Sequence, residues 1–228
     1  MIISIMQPGY LPWLGFFELM YNCDLFVLLD DVQYTKRDWR NRNRIRTKDG
    51  WIWLTVPVWS KNKQLQLINE AKINPYNDWR ENHLKALEIN YYRARYFSEY
   101  FPYFKKLYAS NWEYLLDLDI EIINWIAKAL DIKTPIMKSS SLNAEGIKEK
   151  KIINICKKLD ATELYDSKAA QDILDLNKLN EEKIKIKFQD YQHPIYKQVY
   201  EPFIPYMSAI DLLFQYGPES LNILMHKS

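Results

Sequence analysis

The N-terminal part of the chain carries the pattern that most restricts the fold. Ile2–Met6 is a short apolar run typical of a buried strand, and Leu25–Leu29 is a second one. Between them, a loop with two prolines and a glycine, residues 7–12, precedes a helical pattern over residues 13–21. Strand, tight loop, helix and strand form a βαβ unit, whose strands run parallel. The sequence therefore predicts a Rossmann-like α/β core.

Polar side chains follow both predicted strands. Gln7 comes after the first strand, and Asp30 and Asp31 come after the second. Ligands of parallel sheets bind at the carboxyl ends of the strands, so these residues are candidates for a site. Neighbouring carboxylates raise one another's pKa, which suits a proton acceptor, although only one of the pair is expected to face a site. The alternative is a strand end paired with nearby cations. Tyr10 either orients a ligand or caps its own loop.

A strongly basic segment follows the acidic pair. Seven Lys or Arg residues fall within the thirteen positions from Lys36 to Lys48. Four of them recur at every second position and share one face of an extended chain: Arg40, Arg42, Arg44 and Arg46. Asp49-Gly50 is typical of a hairpin turn, and the β-rich run Trp51–Val58 comes next. We expect a β-hairpin whose basic face holds an anion.

With Asp49-Gly50 as the turn, Arg46 pairs with Trp53 and Ile45 pairs with Leu54. One face is then apolar and expected to be buried: Ile45, Ile52, Leu54 and Val56. The opposite face carries the polar set: Arg44, Arg46, Trp53 and Thr55. Arg beside Trp suits a planar or phosphorylated ligand, through stacking and bidentate hydrogen bonds. The alternative is a solvated strand face.

The middle of the chain is largely helical. From Asn74-Pro75 to about Pro135 the sequence predicts a helical insertion. His83 lies on an inward stripe of that insertion, where it is either a core histidine or a general base in a cleft shared with Asp30 or Asp31.

After Pro135 the α/β pattern returns, with a helix over 147–159, a strand near Leu164 and a strand over 184–188. Ser208 is expected to cap a helix over 209–216 that stops at Gly217. His193, before a proline, is extended and offers either a second base or a structural loop residue.

Net charge, cysteine spacing and hydropathy disfavour several classes of protein. The net charge of +2 does not favour a nucleic-acid partner, because the basic residues are local. Cys23 and Cys156 lack the spacing of a metal site or a disulfide framework. The N-terminus does not read as a signal peptide, and no segment reaches the roughly 20 apolar residues of a membrane span. We expect a cytoplasmic protein with one domain over residues 1–228.

Several motifs resemble a known family. The first covers the loop and helix of the βαβ unit: Ile5-Met6-Gln7-Pro8, Tyr10, Pro12 and Gly15-Phe16-Phe17. The second covers the basic segment: Asp30-Asp31-Val32-Gln33-Tyr34, Lys36, Trp39 and Asn41-Arg42-Asn43-Arg44. Later matches are scattered: His83, Tyr91, Ser140-Ser141, Tyr165, His193-Pro194, Tyr196, Ser208, Asp211-Leu212-Leu213-Phe214 and Gly217. On these residues the chain closely resembles the WbqC-like proteins over essentially its full length.

The resemblance implies a role in bacterial O-antigen and other surface-polysaccharide biosynthesis. It points to a transferase that moves an acyl or aminoacyl group onto the amino group of a nucleotide-linked sugar, with an acyl carrier protein or acyl-CoA as donor. The expected catalytic residues are His83, Asp30 and Asp31; no metal ligand is assigned, and whether a metal is needed stays open. The expected substrate-binding residues lie mostly in the two motifs: Gln7, Tyr10, Gln33, Lys36, Asn41, Arg42, Asn43, Arg44, Trp53, His193 and Tyr196.

Two alternatives remain open. One is a non-catalytic module that binds a nucleotide-sugar or a partner enzyme. The other is a nucleic-acid binder that uses the Arg face, which the balanced net charge disfavours. The chain also departs from the family at Lys168 and Ile173, so the substrate specificity of that loop stays open.

Overall fold

A computed structural model describes residues 1–59, 65–76, 78–172 and 174–227. The strands and α-helices in these ranges are β1 (Ile2–Met6), α1 (Leu14–Tyr21), β2 (Leu25–Leu28), β3 (Arg42–Thr47), β4 (Gly50–Thr55), α2 (Trp79–Tyr91), α3 (Phe97–Ala109), α4 (Leu115–Ala129), β5 (Ile136–Lys138), α5 (Lys148–Lys158), β6 (Glu163–Asp166), α6 (Leu176–Glu181), β7 (Lys185–Phe188), α7 (Ala209–Tyr216) and α8 (Ser220–Leu224). No helix in the described ranges is both long enough and apolar enough to cross a membrane.

The chain divides into two compact units. The sheet unit comprises Met1–Pro8, Gly15–Val32 and Ile132–Gln192. The hairpin unit comprises Gly9–Leu14, Gln33–Asp131 and His193–Ser228. The region of the expected helical insertion contains α2, α3 and α4. The single domain expected over residues 1–228 stays a prediction.

The sheet unit is built on five parallel strands in the order β5-β2-β1-β6-β7. Counted along the chain, these strands lie in the order 3-2-1-4-5, which is the order of a Rossmann-like sheet. The predicted α/β fold with a Rossmann-like core is therefore confirmed. The chain adds β2 and then β5 on one side of β1, and later adds β6 and then β7 on the other side. The strand order therefore reverses between β1 and β6.

Both faces of this sheet are covered, as the apolar strands predict. Ile3, Ile5 and Val27 pack in one apolar cluster with Ile152 and Cys156 of α5. On the side of α1, the Ser4 hydroxyl donates to the carbonyl of Leu19 at 3.3 Å. Strands that are buried on both faces leave polar residues for the strand ends, and the candidate residues of this unit lie there.

In the hairpin unit, β3 and β4 form an antiparallel hairpin, but the predicted register is wrong. Thr47 pairs with Gly50, and Arg44 pairs with Trp53. The turn residues are thus Lys48 and Asp49, while Gly50 is the first residue of β4. Gly50 adopts φ +134°, which side chains with a Cβ rarely adopt. The shift is two residues along β4, and each side chain keeps its face because the strand period is two.

On the two faces of the hairpin, the exposure or position of three residues differs from the prediction. Ile45 and Leu54 are buried as expected, but Ile52 near the turn is 40% exposed. Arg46, expected on an open Arg face, is only 1% exposed, because polar groups of the hairpin unit surround its guanidinium. Arg40 lies before the first residue of β3, so strand geometry does not align it with the other arginines.

Candidate functional site

The open part of the hairpin is formed by two arginines and three tryptophans, which we name the Arg–Trp surface: Arg42, Arg44, Trp39, Trp51 and Trp53. The guanidinium carbon of Arg42 lies 4.2 Å from the Trp53 ring centroid. That of Arg44 lies 5.0 Å from the Trp51 centroid and 5.4 Å from the Trp39 centroid. These distances are within the range of cation–π attraction, which holds the two cations in place.

The Arg–Trp surface is accessible to a ligand. Trp39 and Trp51 are each 40% exposed, and their rings lie 5.2 and 5.5 Å from that of Trp53. Arg44 also donates from Nη2 to the carbonyl of Tyr206 at 3.1 Å. Partial burial lowers the pKa of Arg44, yet a guanidinium remains charged at any physiological pH. A surface of fixed cations and aromatic faces suits a ligand with both a flat ring and an anionic group.

Two buried asparagines brace this surface from behind. The side-chain amide of Asn41 donates to the carbonyl of Val56, and that of Asn43 donates to the carbonyl of Leu11, both at 2.7 Å. A Cβ added at Gly9 would lie 2.8 Å from the carbonyl oxygen of Trp39. The loop after β1 and the start of β3 therefore pack closely. The two amides are engaged with backbone, as buried amides must be.

Arg46 lies on the same strand face as Arg44 but is part of a buried polar network. Its guanidinium donates to Gln198 Oε1 at 3.2 Å and to the carbonyls of Gly50 and Pro202 at 2.7 and 2.8 Å. It also donates to the carbonyls of Thr47 and Tyr200. This side chain ties the hairpin to the segment after His193 within one unit.

Asp211 of α7 is the acidic centre of the same network. Its carboxylate accepts from the hydroxyls of Tyr91 at 2.8 Å and Tyr196 at 2.9 Å, and from Gln198 Nε2 at 2.9 Å. Burial raises the pKa of Asp211, and these hydrogen bonds oppose that rise. Tyr196, a predicted substrate-binding residue, is buried here with its hydroxyl engaged.

His83 lies in a buried aromatic cluster of the hairpin unit. Its Nδ1 is 2.9 Å from the hydroxyl of Tyr10, which is 2.5 Å from the hydroxyl of Tyr108. The Trp79 ring packs edge-on at 5.3 Å. Burial lowers the pKa of His83 to about 3, so the ring is neutral near pH 7 and has little affinity for a proton. Asp30 and Asp31 belong to the sheet unit, and a cleft shared with His83 stays a prediction.

Asp119 of α4 was missed by sequence reasoning. It is 1% exposed, and burial raises its pKa well above the usual range, while the charge of Arg40 opposes the rise. Burial raises the pKa of Tyr10 and of Tyr34, and Asp119 adds a smaller contribution to both. An acidic residue within the apolar stripe of a helix is the signal that would have found it, because charges are seldom buried without cause.

The acidic pair of the sheet unit is held by partners of two kinds. Asp30 is buried and accepts from the backbone nitrogen and the hydroxyl of Ser140 at 2.8 and 2.7 Å. Asp31 is paired with Lys151 Nζ of α5 at 2.7 Å, and the Ser139 hydroxyl lies within hydrogen-bond distance of both carboxylates, to either of which it can donate its one proton. In the described ranges, no group of three or more His, Cys, Asp or Glu side chains is placed so that it could bind a metal ion.

Asp166 is a second residue that sequence reasoning missed. It ends β6, the strand beside β1 where the strand order reverses, and it is 8% exposed. Its Oδ1 accepts from the backbone nitrogen of Ser167 at 2.6 Å. Burial raises the pKa of Asp166 to about 6, which is suitable for proton transfer near neutral pH. An acidic residue at the carboxyl end of a buried strand is the signal that would have found it.

The remaining predicted residues are Gln7 of the sheet unit and Gln33, Lys36 and His193 of the hairpin unit. Gln7 is half-buried directly after β1, while Gln33 and Lys36 are exposed before β3. His193 Nδ1 lies 2.9 Å from the carbonyl of Pro194, its ring is 5.2 Å from that of Tyr206, and burial lowers its pKa. Of the two family departures, Lys168 begins a short 3₁₀ helix, and Ile173 lies outside the described residues.

Comparison with known proteins agrees with the motifs. The model of the WbqC-like protein family matches residues 7–223. An uncharacterized protein of Mycobacterium tuberculosis, Rv1507c, is 36% identical over 226 residues, which cover 98% of this chain and 97% of the relative. No solved structure gives a significant match. By the extent of these matches, the chain belongs to the WbqC-like protein family.

Proposed function

We propose that the protein is a transferase of surface-polysaccharide biosynthesis that moves an acyl or aminoacyl group onto the amino group of a nucleotide-linked sugar. The observation that carries the proposal is the Arg–Trp surface. The WbqC-like family is associated with polysaccharide gene clusters. A nucleotide-sugar has the two groups that the Arg–Trp surface suits, a flat base and a diphosphate. A base stacked on an aromatic side chain contributes about 1–3 kcal/mol.

The binding role falls to the hairpin unit. Trp51 and Trp53 would stack with the base, and Arg42 and Arg44 would bind phosphate oxygens through charge-assisted hydrogen bonds. Because cation–π contacts already hold both guanidinium groups, the ligand would lose less affinity to side-chain ordering. Lys36, exposed on the same segment of the chain, would add a further positive charge.

The reaction itself requires a proton acceptor. The amine nitrogen attacks the acyl carbon of the thioester donor, the C–S bond breaks, and the proton of the amine passes through a base to the departing thiolate. In the sheet unit, Asp166 at the carboxyl end of β6 is a candidate for proton transfer, because burial raises its pKa to about 6. As that base, His83 is less suited because burial lowers its pKa to about 3 and makes the ring a weak base, and Asp31 is already paired with Lys151.

A second candidate function is a binding module without catalysis. It is favoured by the way the expected catalytic residues are engaged: His83 with Tyr10, and Asp30 with Ser140. Such a module would bind the nucleotide-sugar through the Arg–Trp surface and leave acyl transfer to a partner enzyme. The two candidates share their ligand and differ only in turnover.

Thermal-shift screening tests the shared ligand. A ligand that binds only the folded state raises its stability, so a nucleotide-sugar should raise the melting temperature of the wild type. Arg44→Ala should remove that rise, whereas Lys85→Ala, which removes an exposed cation on α2, should preserve it. If no phosphorylated metabolite shifts the melt and short DNA or RNA binds tightly at physiological salt, the proposal is wrong.

Mass spectrometry then separates the transferase from the binding module. The wild type is incubated with an amino-sugar nucleotide and an acyl thioester, on either an acyl carrier protein or CoA. Formation of the amide by wild type, with a large loss in Asp166→Asn but unchanged nucleotide-sugar binding, supports the transferase. Binding without product from either donor supports the module.

A further inference from the structure

A groove of about 400 Å³ lies in the hairpin unit, and no residue of the Arg–Trp surface lines it. Its walls come from the segment after α2, the segment after His193 and the end of α7. The lining residues are Arg93, Arg95, Lys197, Gln198, Val199, Gln215 and Tyr216. Its volume is within the range of pockets that bind small molecules, roughly 300–1,000 Å³.

The groove has a strongly one-sided charge. Arg93, Arg95 and Lys197 bring three cations to it, whereas none of the described lining residues is Asp or Glu. Cations that share a groove repel one another, and the repulsion is relieved when an anion binds between them.

Both arginines are held in position by aromatic rings. The guanidinium carbon of Arg93 lies 5.1 Å from the Tyr92 ring centroid, and its Nε donates to the Tyr92 hydroxyl at 2.7 Å. That of Arg95 lies 5.2 Å from the Tyr96 centroid. A cation that is already restrained loses less side-chain entropy when it binds a ligand, so these contacts favour a binding site over freely moving surface charges.

The base of the groove is also fixed. Gln198 is buried, and its amide bonds both the Arg46 guanidinium and the Asp211 carboxylate. The backbone nitrogen of Lys197 donates to the hydroxyl of Tyr216 at 3.1 Å, so the proton of that hydroxyl is available to another acceptor. The groove therefore combines three cations and a hydroxyl donor on a rigid base.

From these features we propose that the groove is a second anion site, which binds the phosphate or diphosphate group of a small molecule. Arg93 and Arg95 hold the phosphate oxygens through their guanidinium groups, and Lys197 adds a point charge from the opposite segment. The proposal does not depend on the ligand of the Arg–Trp surface.

Isothermal titration calorimetry with inorganic pyrophosphate tests this site in the full chain. Two charge-assisted contacts are removed in the Arg95→Ala/Lys197→Ala variant, so its affinity should fall about ten-fold or more. Lys106→Ala, which removes an exposed cation in the last turn of α3, should stay within about two-fold of the wild type, and Arg44→Ala should retain the binding event that the double variant loses. The wild-type affinity should also fall as salt is added.

The outcomes separate the possibilities cleanly. No binding by the wild type, or equal binding by the double variant, would overturn the site. A loss of binding in Arg44→Ala alone would assign pyrophosphate to the Arg–Trp surface and also overturn it. Sedimentation with phosphatidylcholine vesicles, with and without phosphatidic acid, distinguishes the source of the phosphate. Binding to the acidic vesicles that depends on Arg95 and Lys197 indicates a lipid phosphate, and pyrophosphate binding alone indicates a soluble one.

Discussion

Arg44 and Arg46 lie two residues apart on one face of β3, yet their surroundings are opposite. Arg46 is 1% exposed and bonds five acceptors in the hairpin unit, whereas Arg44 has tryptophan rings around it and one hydrogen bond to Tyr206. An alternating pattern of arginines places both side chains on the same side of the strand. It does not say which of them another segment covers.

This difference shows how to tell the arginines that stabilise the fold from those that can bind a ligand. A buried cation whose donors are all used by acceptors of the protein holds the fold together and has none left for a ligand. A cation that is held by aromatic rings keeps its donors, because cation–π contact uses the face of the guanidinium and leaves its edge open. By this criterion, Arg42 and Arg44 belong to the site and Arg46 to the scaffold.

The largest expected effect comes from Arg46→Ala. The change leaves one buried and four partly buried acceptors without their donor and the Asp211 network without its cation, so we expect the free energy of unfolding to fall by about 3–5 kcal/mol. Urea denaturation measures it. Arg46→Lys should recover only part of the loss, since an ammonium has three donors and no planar fork. A loss below about 1 kcal/mol would place Arg46 with the surface residues and break the comparison.

His83→Ala is the next largest. The substitution opens a cavity among Trp79, Tyr10 and Tyr108 and removes one hydrogen bond of Tyr10, so we expect a loss of about 2–3 kcal/mol in the free energy of unfolding. Asn82→Ala, at an exposed position on the same helix, is the control. Should His83→Ala abolish acyl transfer while the melting temperature stays unchanged, then burial does not distinguish scaffold from site, and His83 returns as a base.

The sequence was sufficient for those elements whose signals are local. β1 begins and ends where it was predicted, and Ser208 caps α7, with its hydroxyl accepting from the nitrogen of Ile210 at 3.4 Å. α3 lies within the predicted helical insertion, but its bounds were not predicted; Pro102 lies within it, although proline usually ends a helix. The hairpin register was wrong because Asp-Gly fits more than one turn.

The sites were harder to predict because they depend on distant contacts. The sequence signals of Asp119 and Asp166 are weak, an acidic residue in an apolar helical stripe and one at a strand end, and packing shows that both are buried. The burial of Arg46 depends on Gln198 and Pro202, more than 150 positions away. A sequence pattern gives the face of a side chain, and the covering segment comes from the fold.

A buried carboxyl extends the comparison to pH. Burial raises the pKa of Asp166 from 3.8 to about 6, so between these values the folded state binds more protons than the unfolded state. The free energy of unfolding should therefore fall as the pH rises from about 4 to 6, by on the order of 2 kcal/mol. Asp166→Asn should remove this decline.

Denaturation of the wild type and Asp166→Asn at several pH values measures the difference directly. Other carboxyl groups titrate in the same range, so the informative quantity is the gap between the two curves. That gap should open above about pH 4 and become constant above about pH 7, where the folded-state carboxyl is fully ionised. A gap that is the same at every pH would mean that Asp166 is not buried in the way the sheet unit places it.

The smallest expected effect is that of Arg44→Lys, and it tests why Arg44 suits a ligand. The ammonium keeps the positive charge but loses the planar stack on Trp51 and the bidentate donors. Nucleotide-sugar affinity should fall by about three- to ten-fold, while the free energy of unfolding should change by less than about 0.5 kcal/mol. Calorimetric titration and urea denaturation of the same preparation give both values.

If Arg44→Lys binds the nucleotide-sugar as tightly as the wild type, the Arg–Trp surface attracts the ligand by charge alone. If stability falls instead, Arg44 supports the hairpin as Arg46 does, and the two arginines differ in exposure but not in role.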